Sequence, residues 1–195
     1  IYGMLNKGRA DFLVAEDRRG NPGPAEGGIM INQIAQYVNQ RTQILRGEAY
    51  CGAACVAMIT GRPPQVVADV IGDTADDMRL VNYLRSAGHA VEKIVDGGTQ
   101  ATRWGFYPAD RDFVAIRRAL EEGLVILYHF AGWDHRSSGH YAVCVGWEDP
   151  PEQFVFMDPA GDRNQGYFND HGNGARYTRA FLRAAGIKRL FSVTV

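Results

Sequence analysis

Tyr50-Cys51-Gly52-Ala53-Ala54-Cys55-Val56-Ala57-Met58-Ile59 is the stretch on which the reading of this chain turns. Val56, Met58 and Ile59 make it apolar, as a buried central helix should be, and Gly61 and Pro63 end it. Cys51 stands at its start. Free backbone N–H groups and the helix dipole favour negative charge there, and the thiolate is the nucleophilic form of cysteine. Gly52, next to it, is expected to let a substrate backbone come close. Cys55 lies one turn further in, among Ala54, Val56 and Ala57, and reads as core; Cys144, inside an apolar strand, reads the same way.

A nucleophilic thiolate works best beside a histidine that a third group orients. His140, in Ser138-Gly139-His140-Tyr141-Ala142-Val143, follows a glycine at the start of a strand, where a side chain can face a cleft. His89, His129, His135 and His171 compete for the role. His129 ends a strand, and His135 sits in the polar loop 134–138, facing solvent or substrate. Asp158, in Phe156-Met157-Asp158-Pro159, follows the next strand. An antiparallel hairpin sets the start of one strand beside the end of the next, so His140 and Asp158 become neighbours. An oxyanion donor completes such a site. Gln43 upstream of Cys51 is the candidate, with Gln40 as second choice.

Around this constellation the chain reads as helices first and strands after. Residues 18–28 are a Gly- and Pro-rich loop, and residues 1–30 are expected to form a flexible segment ahead of a single domain at 31–195. A short helix is expected at 33–39 and a further helix at 65–71. Thr74 is expected to cap a helix that runs to Ser86. A strand at 90–95 and a helix from Asp110 to about Leu120 come next. Strands are expected at 124–130, 141–147 and 153–157, a loop at 161–175, a helix at 177–185 and a strand at 189–195. The class is α+β: an N-terminal helical half whose central helix packs on a C-terminal antiparallel sheet.

The bulk numbers exclude several roles. At 195 residues and 46% hydrophobic, the chain can bury one good core. A net charge of −1 without clustered Lys and Arg gives no nucleic-acid footprint. No apolar run approaches the roughly 18 residues of a membrane span, and Ile1-Tyr2-Gly3-Met4 does not open a secretory leader. The first residue is not Met, so a fragment or a processed form is expected. Three cysteines, an odd number, suit reduced thiols in a reducing compartment better than a disulfide framework. A zinc site from His129, His135, His140 and Cys144 matches no metal-ligand spacing, and no cofactor is expected.

The runs Cys51-Gly52-Ala53-Ala54-Cys55-Val56-Ala57-Met58-Ile59, Gly139-His140-Tyr141-Ala142-Val143 and Met157-Asp158-Pro159 resemble the papain-like cysteine proteases. The branch they are most similar to is the bacteriocin-processing, double-glycine peptidase family. The resemblance spans roughly residues 43–158. It implies Cys51 as nucleophile, His140 as its base, Asp158 as the orienting carboxylate and a glutamine, here Gln43, at the oxyanion. That glutamine stands further from the cysteine than is usual in the family. The resemblance further implies a protein or peptide substrate cut after a Gly-Gly pair, in a narrow groove that excludes side chains; Trp133 or Trp147 is the expected wall. The chain itself carries Gly27-Gly28 and Gly97-Gly98. A free-standing peptidase of this type fits a bacterial toxin or effector delivered into a target cytoplasm, with an immunity protein to plug its cleft. The same triad can also run deamidase, transglutaminase or amidase chemistry on protein glutamine or peptidoglycan peptides.

Overall fold

The run at 51–59 forms the buried helix its composition calls for. A computed structural model describes residues 29–45, 49–96, 108–131, 139–166 and 168–195. In chain order the elements are β1 (Ile29–Ile31), α1 (Gln40–Gln43), α2 (Cys51–Thr60), α3 (Pro64–Ile71), α4 (Asp77–Ser86), β2 (Val91–Asp96), α5 (Asp110–Glu121), β3 (Val125–Phe130), β4 (His140–Glu148), β5 (Gln153–Met157), β6 (Asn173–Thr178), α6 (Arg179–Ala185) and β7 (Ile187–Val193). A 3₁₀ turn at Arg163–Gln165 lies between β5 and β6.

The described strands make one antiparallel sheet in the order β2-β7-β3-β4-β5-β6. β1 pairs with residues 146–148 of β4, beyond the stretch 140–144 that pairs with β3. Side chains of a strand alternate between faces, and each face here meets its own helices. Tyr141, Val143, Val145, Leu127 and Phe191 pack with α2, α3 and α4. Ala142, Cys144, Ile126, Tyr128 and Phe130 pack with Phe113, Ile116 and Leu120 of α5 and with Leu182 of α6. The helical half therefore covers one face only, and α5 and α6 close the other.

α2 is buried from Gly52 to Ile59, which is why it lacks the polar stripe of a surface helix. A Cβ on Gly52 would sit 3.0 Å from both terminal methyls of Leu80 in α4. The glycine thus serves helix–helix contact.

Several expectations shift. Residues 33–39 carry no helix; α1 starts at Gln40, with the Asn39 side chain capping it through the Arg41 N–H at 3.0 Å. Asp76, not Thr74, caps α4, accepting from the Arg79 N–H at 2.9 Å. β6 occupies the end of the expected loop at 161–175 and takes Tyr177 and Thr178 out of the expected helix. Ile29 and Met30, assigned to the N-terminal segment, are in β1, while residues 1–28 lie outside the described residues. Among the described residues no helix is long and apolar enough to cross a membrane.

Candidate active site

α2 and the β4–β5 hairpin carry the site. Cys51 is the first residue of α2, where the leading N–H groups have no carbonyl partner within the helix. It is half-buried, while Cys55 and Cys144 are fully buried. His140 opens β4 and Asp158 follows β5, and the register Val143↔Met157 sets the two ends side by side. Gly139 precedes the histidine at φ +141°, and a Cβ there would fall 2.6 Å from Nε2 of His129. Only glycine fits that approach.

The His140 ring joins the other two groups. Its Nε2 donates to Oδ1 of Asp158 at 2.9 Å. The Cys51 thiol is hydrogen-bonded to the same ring, which leaves Nδ1 for the sulfur. Asp158 is 0% exposed and each of its oxygens has donors. Oδ1 also accepts from the Ala160 N–H at 2.9 Å, and Oδ2 accepts from the Tyr177 hydroxyl at 3.1 Å. Its carbonyl oxygen accepts from the Tyr37 hydroxyl at 2.9 Å. The carboxylate is therefore fixed before it orients the imidazole.

Burial works against ionisation of the Cys51 thiol. The His140 hydrogen bond and charge, with the N–H groups of Tyr141 and Gly52, outweigh it and hold the thiol below its ordinary range. Burial would likewise discharge His140, but the Asp158 carboxylate and the Cys51 thiolate raise it to about 9. Both shifts favour a thiolate–imidazolium pair at neutral pH. Cys55 is pushed up by burial and by its proximity to Cys51, and Cys144 by burial. Neither has the His140 partner that lowers the Cys51 thiol.

The other histidines are placed elsewhere. His129 donates through Nδ1 to Asp77 at 2.9 Å. His89 lies against the Thr194 carbonyl, and His171 is exposed. His135 lies outside the described residues, as do Trp133, Gly27-Gly28 and Gly97-Gly98. Trp147, the other expected groove wall, is near the far end of β4, stacked under the Arg117 guanidinium at 3.9 Å. Among the described residues no three His, Cys, Asp or Glu side chains converge to hold a metal ion.

The two candidate glutamines are placed differently. Gln43 is exposed, and its side-chain oxygen accepts from the Asn39 N–H at 2.7 Å, so it turns back onto its own helix. Gln40, the second choice, is 2% exposed, and its backbone N–H donates to the carbonyl of Pro159 at 3.0 Å. That places Gln40 next to the Asp158 end of the site. Sequence reasoning missed Tyr177 and Tyr37, the phenols that hold Asp158. The alternation Ala175-Arg176-Tyr177-Thr178 was the available signal for the strand that carries Tyr177.

No family model matches the chain. No curated protein matches it in sequence. Solved structures do match. A C39-like peptidase of Bacillus anthracis superposes with a TM-score of 0.55 at 10% identity, covering 86% of this chain and 98% of that one. The peptidase domain of Streptococcus ComA, a bifunctional ABC transporter of a quorum-sensing pathway, gives a TM-score of 0.47 at 13% identity, covering 75% and 91%. The helices and antiparallel sheet described above are thus the papain-like fold seen in the C39-like peptidase of Bacillus anthracis.

Proposed function

We propose that the protein is a cysteine peptidase that uses Cys51, His140 and Asp158. One observation carries the reading: a cysteine at a helix start shares a histidine with a fully buried carboxylate 2.9 Å from the far ring nitrogen. The Cys51 thiolate attacks the scissile carbonyl, forming a C–S bond. The oxyanion that develops is met by the Cys51 backbone N–H and by the side-chain amide of Gln40, which takes the role first given to Gln43. The His140 imidazolium gives its proton to the leaving amine as the C–N bond breaks. The neutral imidazole then takes a proton from water, and the resulting hydroxide releases the acyl group from Cys51. Asp158 keeps Nε2–H directed and stabilises the positive ring at each stage.

The finer reading is cleavage after a Gly-Gly pair in an extended segment of a protein or peptide. It is supported by the motif resemblance at Cys51, His140 and Asp158 and by the shared fold. A delivered toxin with a cognate immunity protein belongs to the same proposal and stands on the sequence alone.

A lysate exposed to the active protein and to a Cys51→Ala variant tests the reading by mass spectrometry of new N-termini. Cysteine-dependent cuts after Gly-Gly are expected. Changing either glycine of a mapped site to alanine is expected to cost at least about 2 kcal/mol, roughly thirtyfold in kcat/KM. Cuts after bulky residues with glycine pairs intact would overturn the specificity but not the peptidase. A one-dalton gain on glutamine, or released muropeptides, without new N-termini would replace hydrolysis of peptide bonds by deamidation or amidase chemistry on the same triad.

A further inference from the structure

A second buried cluster stands behind the site, and the proposed chemistry does not use it. Asp77, the first residue of α4, is 5% exposed. It accepts from Nδ1 of His129 on β3 at 2.9 Å, from the Tyr141 hydroxyl on β4 at 2.6 Å, and from the Arg189 guanidinium on β7. His129 and Tyr141 are cross-strand partners, and their rings stack with centroids 4.1 Å apart. Arg189 also approaches Asp96 of β2 at 3.5 Å, and the amine of Lys188 lies in the field of Asp77. A carboxylate withdrawn from water needs donors, and breaking such a set is costly. Burial disfavours the charge on Asp77, but these donors hold it well below the usual carboxylate range.

The cluster grips the chain on both sides of His140. Tyr141 follows the histidine directly, and its backbone N–H is among the groups that favour the Cys51 thiolate. Gly139 precedes it and packs against the Nε2 edge of His129. His140 itself sits at the first position of β4, where a strand end would otherwise fray. A second His–Asp pair could be mistaken for a rival dyad. The hydrogen bond to the thiol belongs to His140, however, and His129 spends Nδ1 on Asp77.

We propose that Asp77, through Tyr141 and His129, positions the backbone on either side of His140 and so sets the Tyr141 N–H against the Cys51 thiolate. The proposal rests on Cys51 being the nucleophile. Asp77, Tyr141 and His129 are positioning residues in it: they act through the main chain that flanks His140, and they take no proton from the substrate.

Tyr141→Phe tests it, because it removes one hydroxyl and keeps the stacked ring. Three readouts are needed: the pH midpoint of Cys51 alkylation by iodoacetamide, kcat and KM on a cleaved peptide, and the melting temperature. The midpoint is expected to rise by about half a pH unit or more. kcat is expected to fall about tenfold, with KM changed less than about twofold. Asp77→Asn should move both in the same direction and further; if that variant does not fold, Tyr141→Phe alone decides. A lower melting temperature with an unchanged alkylation midpoint and kcat would show that the cluster only holds the fold, and would overturn the proposal. A wild-type Cys51 with no thiolate below about pH 8.5 would instead overturn the nucleophile assignment, and the positioning role with it.

Discussion

Cys51→Ala and His140→Ala proteins are expected to lose at least about a thousandfold in cleavage rate while keeping the wild-type fold. Cys51 lies at the first position of α2, where alanine is a good helix former, and it is half-buried, so little packing is lost. His140 is 3% exposed, and its removal leaves Asp158 with the Ala160 N–H and the Tyr177 hydroxyl as donors. The site therefore keeps its shape and loses its chemistry. Without the imidazole, the half-buried thiol has neither a proton acceptor nor a positive neighbour to hold its charge. Steady-state assays on a mapped peptide, read beside circular dichroism, check both variants. Retained activity in His140→Ala, with loss in His129→Ala, would transfer the role to the histidine on Asp77.

Asp158→Ala is expected to cost about 3 kcal/mol or more of folding stability in addition to activity. A carboxylate that only orients a histidine could be removed without unfolding the chain, and the geometry argues otherwise. Asp158 is 0% exposed, and its carboxylate closes on His140, the Ala160 N–H and the Tyr177 hydroxyl. Alanine leaves the His140 Nε2–H and the Ala160 N–H buried without this acceptor, while the Tyr177 hydroxyl keeps the Gly161 carbonyl at 3.4 Å. Asp158→Asn is the separating variant. Its amide oxygen can still accept from His140 and Ala160, and its amide nitrogen can donate to the Tyr177 oxygen, which already accepts from the Arg163 N–H at 3.1 Å. The substituted amide is neutral, so it orients the ring without stabilising the imidazolium. We expect this variant to stay within about 1 kcal/mol of wild type in urea melts and to lose about tenfold in kcat. Equal stability of the Ala and Asn variants would contradict the view of Asp158 as a buried structural acceptor.

The parts of the fold legible in sequence were those written in local pattern. The buried helix at Cys51, the strands around 125–130 and 140–148, and the His140–Asp158 hairpin each rest on a long apolar run with clear stops. β6 was not legible because its first residues, Asn173-Gly174, have loop chemistry, and only pairing with β5 makes them strand. β1 is three residues long and exists by pairing with the far end of β4. β1 is too short to carry a pattern of its own, and in β6 the four-residue alternation Ala175-Arg176-Tyr177-Thr178 does not outweigh the loop residues before it. The site divides in the same way. Cys51, His140 and Asp158 announce themselves by neighbours in sequence. Gln40 and Gln43 could not be separated, because both are glutamines on one short helix and only tertiary contact decides which is buried. Asp77 reads in sequence as a helix-start acid, which it is. Its partners His129, Tyr141 and Arg189 stand 52, 64 and 112 residues away, beyond any local signal.

Peptide-resolved alkylation tests the central claim most directly. The folded protein is pulsed with iodoacetamide across a pH series, and each cysteine is quantified by mass spectrometry. Cys51 should be labelled with a midpoint below the ordinary thiol value of about 8.5, because His140 and the Tyr141 and Gly52 N–H groups hold the thiolate. Cys55 and Cys144, at 0% exposure, should be labelled only after unfolding. Preferential labelling of Cys55 in the folded protein, or a Cys51 that reacts only as the pH passes about 8.5, would contradict the account.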